Sequence, residues 1–477
     1  MITSLEIENF KSWKSTGQIR LAPITAFFGS NSAGKTSLLQ FLLMLKQTTE
    51  SPDRKQVLHL GDPRSIVDLG TFPDILYRRV LDHPLTWRIT WRLPQPLRIP
   101  DSGRGDVLSE EDTLSFSASI VWRYKKDNGD QTSSPDVTGG RAIVKEMGYQ
   151  SGKRFFGMRL KHASDSEEEY EVYSSPAGFT FHRSRGRPSR LYGPVKCYSF
   201  PSEVRGYKNA DFLKDFELAF EKMCQQMLYL GPLREYPYRQ YTWAGQRPTD
   251  VGPRGERAID ALLASRDDDM GTAHGRNKKR LPLEGQVAHW LKDLGLIASF
   301  AVRPITAHSN LYQVWVRHSS GSPEVLITDV GFGVSQVLPV ISLCYYAPVG
   351  ATLILEQPEI HLHPGVQAGL ADVLVDAVKT RSIQIILESH SEHLLRRLQR
   401  RIAEEASGLT HQDVALYFCT TDEQGTSQLQ PLEIDPYGHI TNWPKDFFGD
   451  EMADLLAMTQ AMMKRQREEE ENELHRD

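Results

Sequence analysis

The chain has 477 residues and a formal charge of −5, enough for two or three domains, and its bulk charge does not advertise nucleic-acid binding. Hydrophobic residues make up 39% and charged residues 25%, as in soluble globular proteins, and no apolar run approaches the ~20 residues of a membrane span, which excludes a transporter subunit with its own span. The four cysteines (Cys197, Cys224, Cys344, Cys419) are far apart and form no CxxC pair, which argues against a zinc finger or disulfide scaffold and suits a reducing cytosol.

In chain order, the N-terminus MITSLEIENFKSW has no apolar signal-peptide core, so a cytoplasmic location is expected. Pro23 to Phe28 reads as a buried strand and Thr36 to Leu45 as a buried helix. Between them Gly29-Ser30-Asn31-Ser32-Ala33-Gly34-Lys35-Thr36 fits GxxxxGK[ST]. Strand, glycine loop and helix form the context in which this pattern is a P-loop. The backbone of Asn31, Ser32, Ala33 and Gly34, with Ser37, is expected to cradle phosphates at a helix N-terminus. Lys35 would reach the β- and γ-phosphates of ATP, and Thr36 would hold Mg²⁺.

Residues 84–200 change character. Leu85 to Leu93, Leu114 to Tyr124 and Phe155 to Leu160 alternate apolar and polar, with Tyr170 to Phe181 less strict. This predicts an antiparallel β region continuing the first lobe's sheet. Asp211 to Met227 reads as an amphipathic helix and Met227 to Leu230 as a short strand. The charged stretch 265–282 predicts a mobile loop. No heptad run occurs between the motifs, so long coiled-coil arms are not expected.

Farther on, Ala351 to Leu355 followed by Glu356-Gln357-Pro358-Glu359 reads as a Walker B strand. A helix over Gly365 to Val378 leads to the strand Ser382 to Leu387, which ends in Glu388-Ser389-His390-Ser391. This is a βαβ unit and implies a parallel sheet. His390 is placed to contact a γ-phosphate. Lys35 and Glu356 stand 321 residues apart (356 − 35), so two halves of one ATPase core flank a large insertion.

Together these segments resemble the ABC-type ATPases of the SMC/RecF/OLD group, and most of all a bacterial branch of OLD-like AAA ATPases. The resemblance rests on Leu5 to Ser12, the P-loop, Leu69-Gly70-Thr71-Phe72-Pro73-Asp74, Tyr229 to Glu235 (YLGPLRE) and Gly331 to Pro339 (GFGVSQVLP). It also rests on Glu356 to Pro364, Leu387 to Leu394 and Trp443 to Phe448 (WPxxFF). It implies an α/β fold: a split P-loop ATPase head with a mixed sheet, an inserted antiparallel β region and a helical lobe. The expected division is a first core half (1–80), a β-rich insertion (81–205), a helical and mixed lobe (206–325), a second core half (326–447) and a C-terminal helix with an acidic tail (448–477).

The resemblance also implies a homodimer or higher homo-oligomer in which two heads sandwich ATP. Gly331, Gly333 and Ser335 would then touch nucleotide held by the other head, with Gly331 at the usual signature serine. Glu356 would hold Mg²⁺ with Thr36. The position that polarises water in the family is Gln357 here, and glutamine accepts no proton. Glu359 and His390 are the candidate substitutes, and slow hydrolysis is expected. No DxD acid pair follows the strand Asp413 to Cys419, so a fused OLD-type nuclease is not expected. A separate effector protein, a nuclease being one option, is expected instead, in the setting of anti-phage defence.

The alternative is a RecF-like DNA-maintenance ATPase. DNA could be contacted by Arg183 to Arg187 with Arg190, by Arg276 to Arg280, or by Arg396, Arg397, Arg400 and Arg401. A third reading is a scaffold whose ATP is structural. His361, His363, His390 and His393 are better explained by the ATPase loops than by a metal site.

Overall fold

The computed structural model describes residues 1–100, 107–124, 140–163, 168–176, 179–182, 190–266, 272–273, 280–405, 408–444, 458 and 462–463. In chain order, β1 (Ile2–Phe10), β2 (Trp13–Ser15), β3 (Ile19–Arg20) and β4 (Ile24–Gly29) lead to α1 (Lys35–Glu50) and the short α2 (Phe72–Ile75). Then come β5 (Leu85–Pro100), β6 (Val107–Tyr124), β7 (Gly140–Ser151), β8 (Arg154–Ala163), β9 (Glu168–Ser175), α3 (Leu213–Gln225) and β10 (Met227–Leu230). The middle of the chain holds β11 (Tyr241–Thr242), α4 (Ala258–Ala264), β12 (Thr272–Ala273), β13 (Arg280–Leu281), α5 (Leu283–Asp293), β14 (Ser299–Pro304), β15 (Leu311–Arg317) and β16 (Glu324–Leu326). Last come α6 (Gly333–Tyr346), β17 (Thr352–Glu356), α7 (Pro364–Arg381), β18 (Gln384–Glu388), α8 (Glu392–Glu404), β19 (Val414–Thr421) and β20 (Ser427–Leu432).

The fold is α/β around a six-stranded mixed sheet of order β10-β17-β18-β4-β19-β20. All neighbours are parallel except β19 and β20. The N-terminal strand β4 lies between β18 and β19, whose residues paired with Ile24 are Ile385 and Val414, 361 (385 − 24) and 390 (414 − 24) positions downstream. The two halves of the chain are therefore joined by backbone hydrogen bonds at the centre of the sheet.

These strands are apolar throughout because both faces of the sheet are covered, as parallel sheets require. Phe27, Ile354, Ile386 and Tyr417 belong to one core, and Ala26, Phe28, Leu355 and Leu387 to the other. The first core holds α1, α3 and the eight-stranded antiparallel sheet of order β2-β1-β5-β6-β7-β8-β9, with β3 on β1. Strand β5 pairs directly with β1, and Phe41 of α1 meets Trp87 of β5 edge to face at 5.6 Å. The 81–205 segment therefore shares its core with the P-loop helix instead of forming a core of its own.

The second core packs α4 to α8 and a small antiparallel sheet (β11, β15, β14, β16) on the opposite face. Helix α8 buries Leu394, Leu395, Leu398 and Ile402 at helical spacing. The strand expected from Ser382 starts at Gln384, because Ser382 caps α7 in the left-handed conformation (φ 52°) and turns the chain into β18. In the stretch expected to be a loop, β12 and β13 pair as a short ribbon. Residues 267–271 and 274–279, and nearly all of the C-terminal helix expected at 450–477, lie outside the described residues.

Candidate nucleotide site

The P-loop leaves β4 at Gly29 and re-enters the fold at α1. Gly34 has φ +88°, and a Cβ there would lie 2.5 Å from Ser427 Oγ and 2.8 Å from both Ser12 Oγ and Trp13 Nε1. Only glycine fits such a position. The Gly34 carbonyl accepts from Trp13 Nε1 at 3.1 Å, so β2 fixes the loop from behind. Lys35 Nζ donates to the carbonyls of Ser30 at 2.7 Å and Gly29 at 3.1 Å. Burial lowers the pKa of this ammonium, opposed by Glu388. Its present partners are neutral carbonyls that a phosphate could displace.

The ends of β17 and β18 complete the site. Ser12, Asn31, Ser32, Gly34, Lys35, Thr36, Ser37, Gln357, Glu388 and His390 line one cavity of about 450 Å³. Thr36 Oγ1 donates to Glu388 Oε2 at 2.7 Å. Gln357 adopts φ 43°, and its N–H donates to the Glu388 carbonyl at 2.9 Å. Its side chain lies close enough to the Glu388 carboxyl to lower its pKa. Burial raises the Glu388 carboxyl and lowers the His390 imidazole, the latter aided by Lys35.

Glu356 points elsewhere. It is 7% exposed and lies outside the lining of the P-loop cavity. The Tyr229 hydroxyl and the cations Arg234 and Lys11 all act to lower its pKa, and Arg234 Nη2 donates to the Glu356 carbonyl at 3.5 Å. Burial, with Glu388 alongside, raises its pKa to about 7. Arg234, also buried, has its pKa lowered by desolvation to about 10. Sequence reasoning assigned no role to Glu388, Tyr229 or Arg234. The available signal was the YLGPLRE segment, whose strand β10 pairs with β17.

Glu359 is 5% exposed. Its Oε1 accepts from Ser389 Oγ at 2.8 Å and from the His390 N–H at 2.7 Å. It fixes the turn that presents His390 and does not line the cavity. Ala33 is fully buried behind the loop. Gly331 and Phe332 are exposed and Gly333 is half-buried, and neither glycine lines the P-loop cavity of its own chain. Ser335 is buried and donates to the Phe332 carbonyl at 2.8 Å, so its hydroxyl is engaged within the helix start. Phe332 sits between Tyr236, tilted against it at 5.5 Å, and His361, edge-on at 5.6 Å.

His363 caps α7, accepting from the Gly365 N–H at 3.2 Å. No group of three or more metal-ligating His, Cys, Asp or Glu occurs among the described residues. The arginines of α8 are paired: Arg396 with Glu392, Arg397 and Arg401 with Asp372, and Arg400 with Glu404, at 2.6–3.1 Å. Residues 183–187 and 276–279 of the other basic groups lie outside the described residues. Among the described residues no helix is long and apolar enough to cross a membrane.

A magnesium–nucleotide complex fits these donors. Magnesium is held by one or two oxygen side chains plus phosphates, and Thr36 and Glu388 offer a hydroxyl and a carboxylate beside the phosphate loop. Such an ion, when bound, neutralises phosphate charge.

Residues 1–74 match a family model described as an AAA ATPase domain. Residues 230–396 match an AAA domain model whose description also carries the words AbiEii toxin and Type IV TA system. Residues 409–458 match a family of unknown function. Both halves of the split core thus match AAA domain models. No curated protein matched the sequence. Among solved structures, an SMC head domain from Thermotoga maritima is similar at 10% identity and TM-score 0.39, over 91% of this chain and 99% of that one. An SMC head bound to the C-terminal winged-helix domain of ScpA gives 11% and 0.41, over 91% and 98%. An SMC head domain with an extended coiled coil, bound to the C-terminal domain of ScpA derived from Pyrococcus furiosus, gives 10% and 0.38, over 91% and 96%.

Proposed function

We propose that this protein is an ATP-binding, slowly hydrolysing ABC-type ATPase whose heads pair over nucleotide and thereby regulate a separate effector, in the manner of OLD-like anti-phage systems. One observation carries the reading. The P-loop and the ends of two strands more than 300 residues away meet around a single polar cavity. Lys35 and Thr36 are poised there for phosphate and magnesium. Gln357 supplies no base at the position where the family carries an acid. ATP would then act chiefly as a ligand that favours a paired state, and a gated or slow reaction suffices for a population shift.

The glycine turn Gly331-Phe332-Gly333 supports pairing. Gly331 and Phe332 are exposed, and the turn lies outside its own chain's cavity and opens α6, so it can approach another copy's nucleotide.

The test is molecular mass by light scattering with and without ATP, for the wild type and Lys35→Ala. ATP-dependent dimerisation that Lys35→Ala abolishes, with ATP affinity falling at least ~100-fold, is the expected result. Unchanged nucleotide content and assembly in Lys35→Ala would refute the reading. Turnover stimulated by DNA would move the protein to the RecF-like alternative.

A further inference from the structure

Two carboxylates end adjacent strands at this site. Glu356 and Glu388 are direct partners in the parallel β17–β18 register. The Walker B pattern in the sequence points to Glu356 as the magnesium acid. The geometry points to the other.

We propose that Glu388, rather than Glu356, is the carboxylate that holds the magnesium ion of a bound nucleotide together with the Thr36 hydroxyl. The proposal rests on the nucleotide-binding reading above. Glu388 lines the P-loop cavity with Lys35, Thr36 and Ser37. Its Oε2 accepts the Thr36 hydroxyl hydrogen at 2.7 Å. A hydroxyl that gives its proton to a carboxylate keeps its lone pairs for a cation. Strand β18, which ends in Glu388, is the hydrogen-bonded neighbour of the P-loop strand, and β17 pairs with the other edge of β18.

Glu356 is committed elsewhere, to the Tyr229 hydroxyl and to the cations Arg234 and Lys11. Arg234 is 5% exposed, and its Nε and Nη1 make no hydrogen bond among the described residues. Removing the Glu356 charge from this cluster would take away one of the carboxylates that act on the buried Arg234, which is costly.

The residue at 357 agrees with this assignment. The Gln357 side chain acts on the Glu388 carboxyl as a neutral donor that lowers its pKa, which a carboxylate at that position could not do when ionised. The glutamine thus steadies Glu388 with a neutral donor. A second acid there would repel it.

The experiment measures affinity for a fluorescent ATP analogue with magnesium and with EDTA, in full-length wild type, Glu388→Gln and Glu356→Gln. Manganese EPR of the nucleotide complex gives a readout independent of turnover. In the wild type, magnesium should tighten binding. Glu388→Gln should cut that enhancement at least ~tenfold and change the manganese spectrum, while its affinity in EDTA stays equal or rises. Glu356→Gln should retain the enhancement and the spectrum.

The reverse pattern, with enhancement lost in Glu356→Gln and kept in Glu388→Gln, would overturn the assignment. If Glu388→Gln does not fold, Glu388→Asp keeps the charge one methylene shorter. It should lose part of the enhancement and alter the spectrum, and a wild-type spectrum in that variant would count against the proposal. A wild type that binds ATP with no magnesium enhancement refutes this inference alone. A wild type that binds no ATP removes the underlying reading as well.

Discussion

Thr36 and Glu388, 352 residues apart in sequence, share a hydrogen bond of 2.7 Å. It ties the first turn of α1 to the end of β18 and so closes the two halves of the chain across the site. Thr36→Val keeps the shape and removes the donor. The buried carboxylate then loses its hydroxyl partner, which costs about 1–3 kcal/mol. A lower urea midpoint in the nucleotide-free protein is expected, together with loss of magnesium-enhanced ATP binding. An unchanged midpoint would show that the contact contributes nothing to joining the halves.

Glu356 gives a pH prediction. Its carboxyl is raised from 4.5 to about 7, first by burial and then by Glu388. Below the unfolded value both states hold the proton, and the site carries no penalty. As pH rises from about 4.5 to 7 the unfolded chain releases its proton while the folded chain keeps it. Stability therefore falls across that window and levels off above 7, by on the order of 3 kcal/mol. Glutamine does not titrate. The stability of Glu356→Gln relative to wild type should thus improve between pH 5 and pH 8, measured by urea unfolding in EDTA. A difference that stays constant with pH would contradict the placement of Glu356 in a desolvated cluster.

How much of this was legible in the sequence depends on the range of the interaction. The P-loop was readable because one contiguous segment supplies the strand, the glycines and the helix, and Gly34 meets its steric demands within the motif. The alternation of Leu85 to Leu93 was readable for the same reason: a strand with one buried face shows period two. That this segment shares a core with α1 was not readable, since the Phe41–Trp87 contact depends on how β5 docks. The placement of Glu388 beside Thr36 was hidden in strand order. No local pattern says that β18, and not β17, lies beside β4. Tyr229 and Arg234 were visible as a motif but had no chemistry until β10 paired with β17 and brought them to Glu356.

Gln357 is the position at which the proposed slow turnover can be tested most directly. It follows the β17 strand end, lines the P-loop cavity and holds a left-handed backbone conformation (φ 43°) fixed by its N–H bond to the Glu388 carbonyl. The backbone bond does not depend on the side chain, so Gln357→Glu should place a carboxylate in the same cavity. Without nucleotide this carboxylate faces Glu388 and replaces a donor by a like charge, so the melting temperature should fall. With magnesium and ATP bound the repulsion is screened by the cation, and the new acid can take a proton from water. General-base help is worth roughly 10²–10⁴-fold, so a rise in kcat of at least ~tenfold is expected, with a smaller change in KM. The two effects oppose each other in the same variant, which separates them from a general gain or loss of folding. An unchanged kcat in a folded, ATP-binding Gln357→Glu protein would mean that slow turnover, if seen in the wild type, is set by head pairing and not by the missing base.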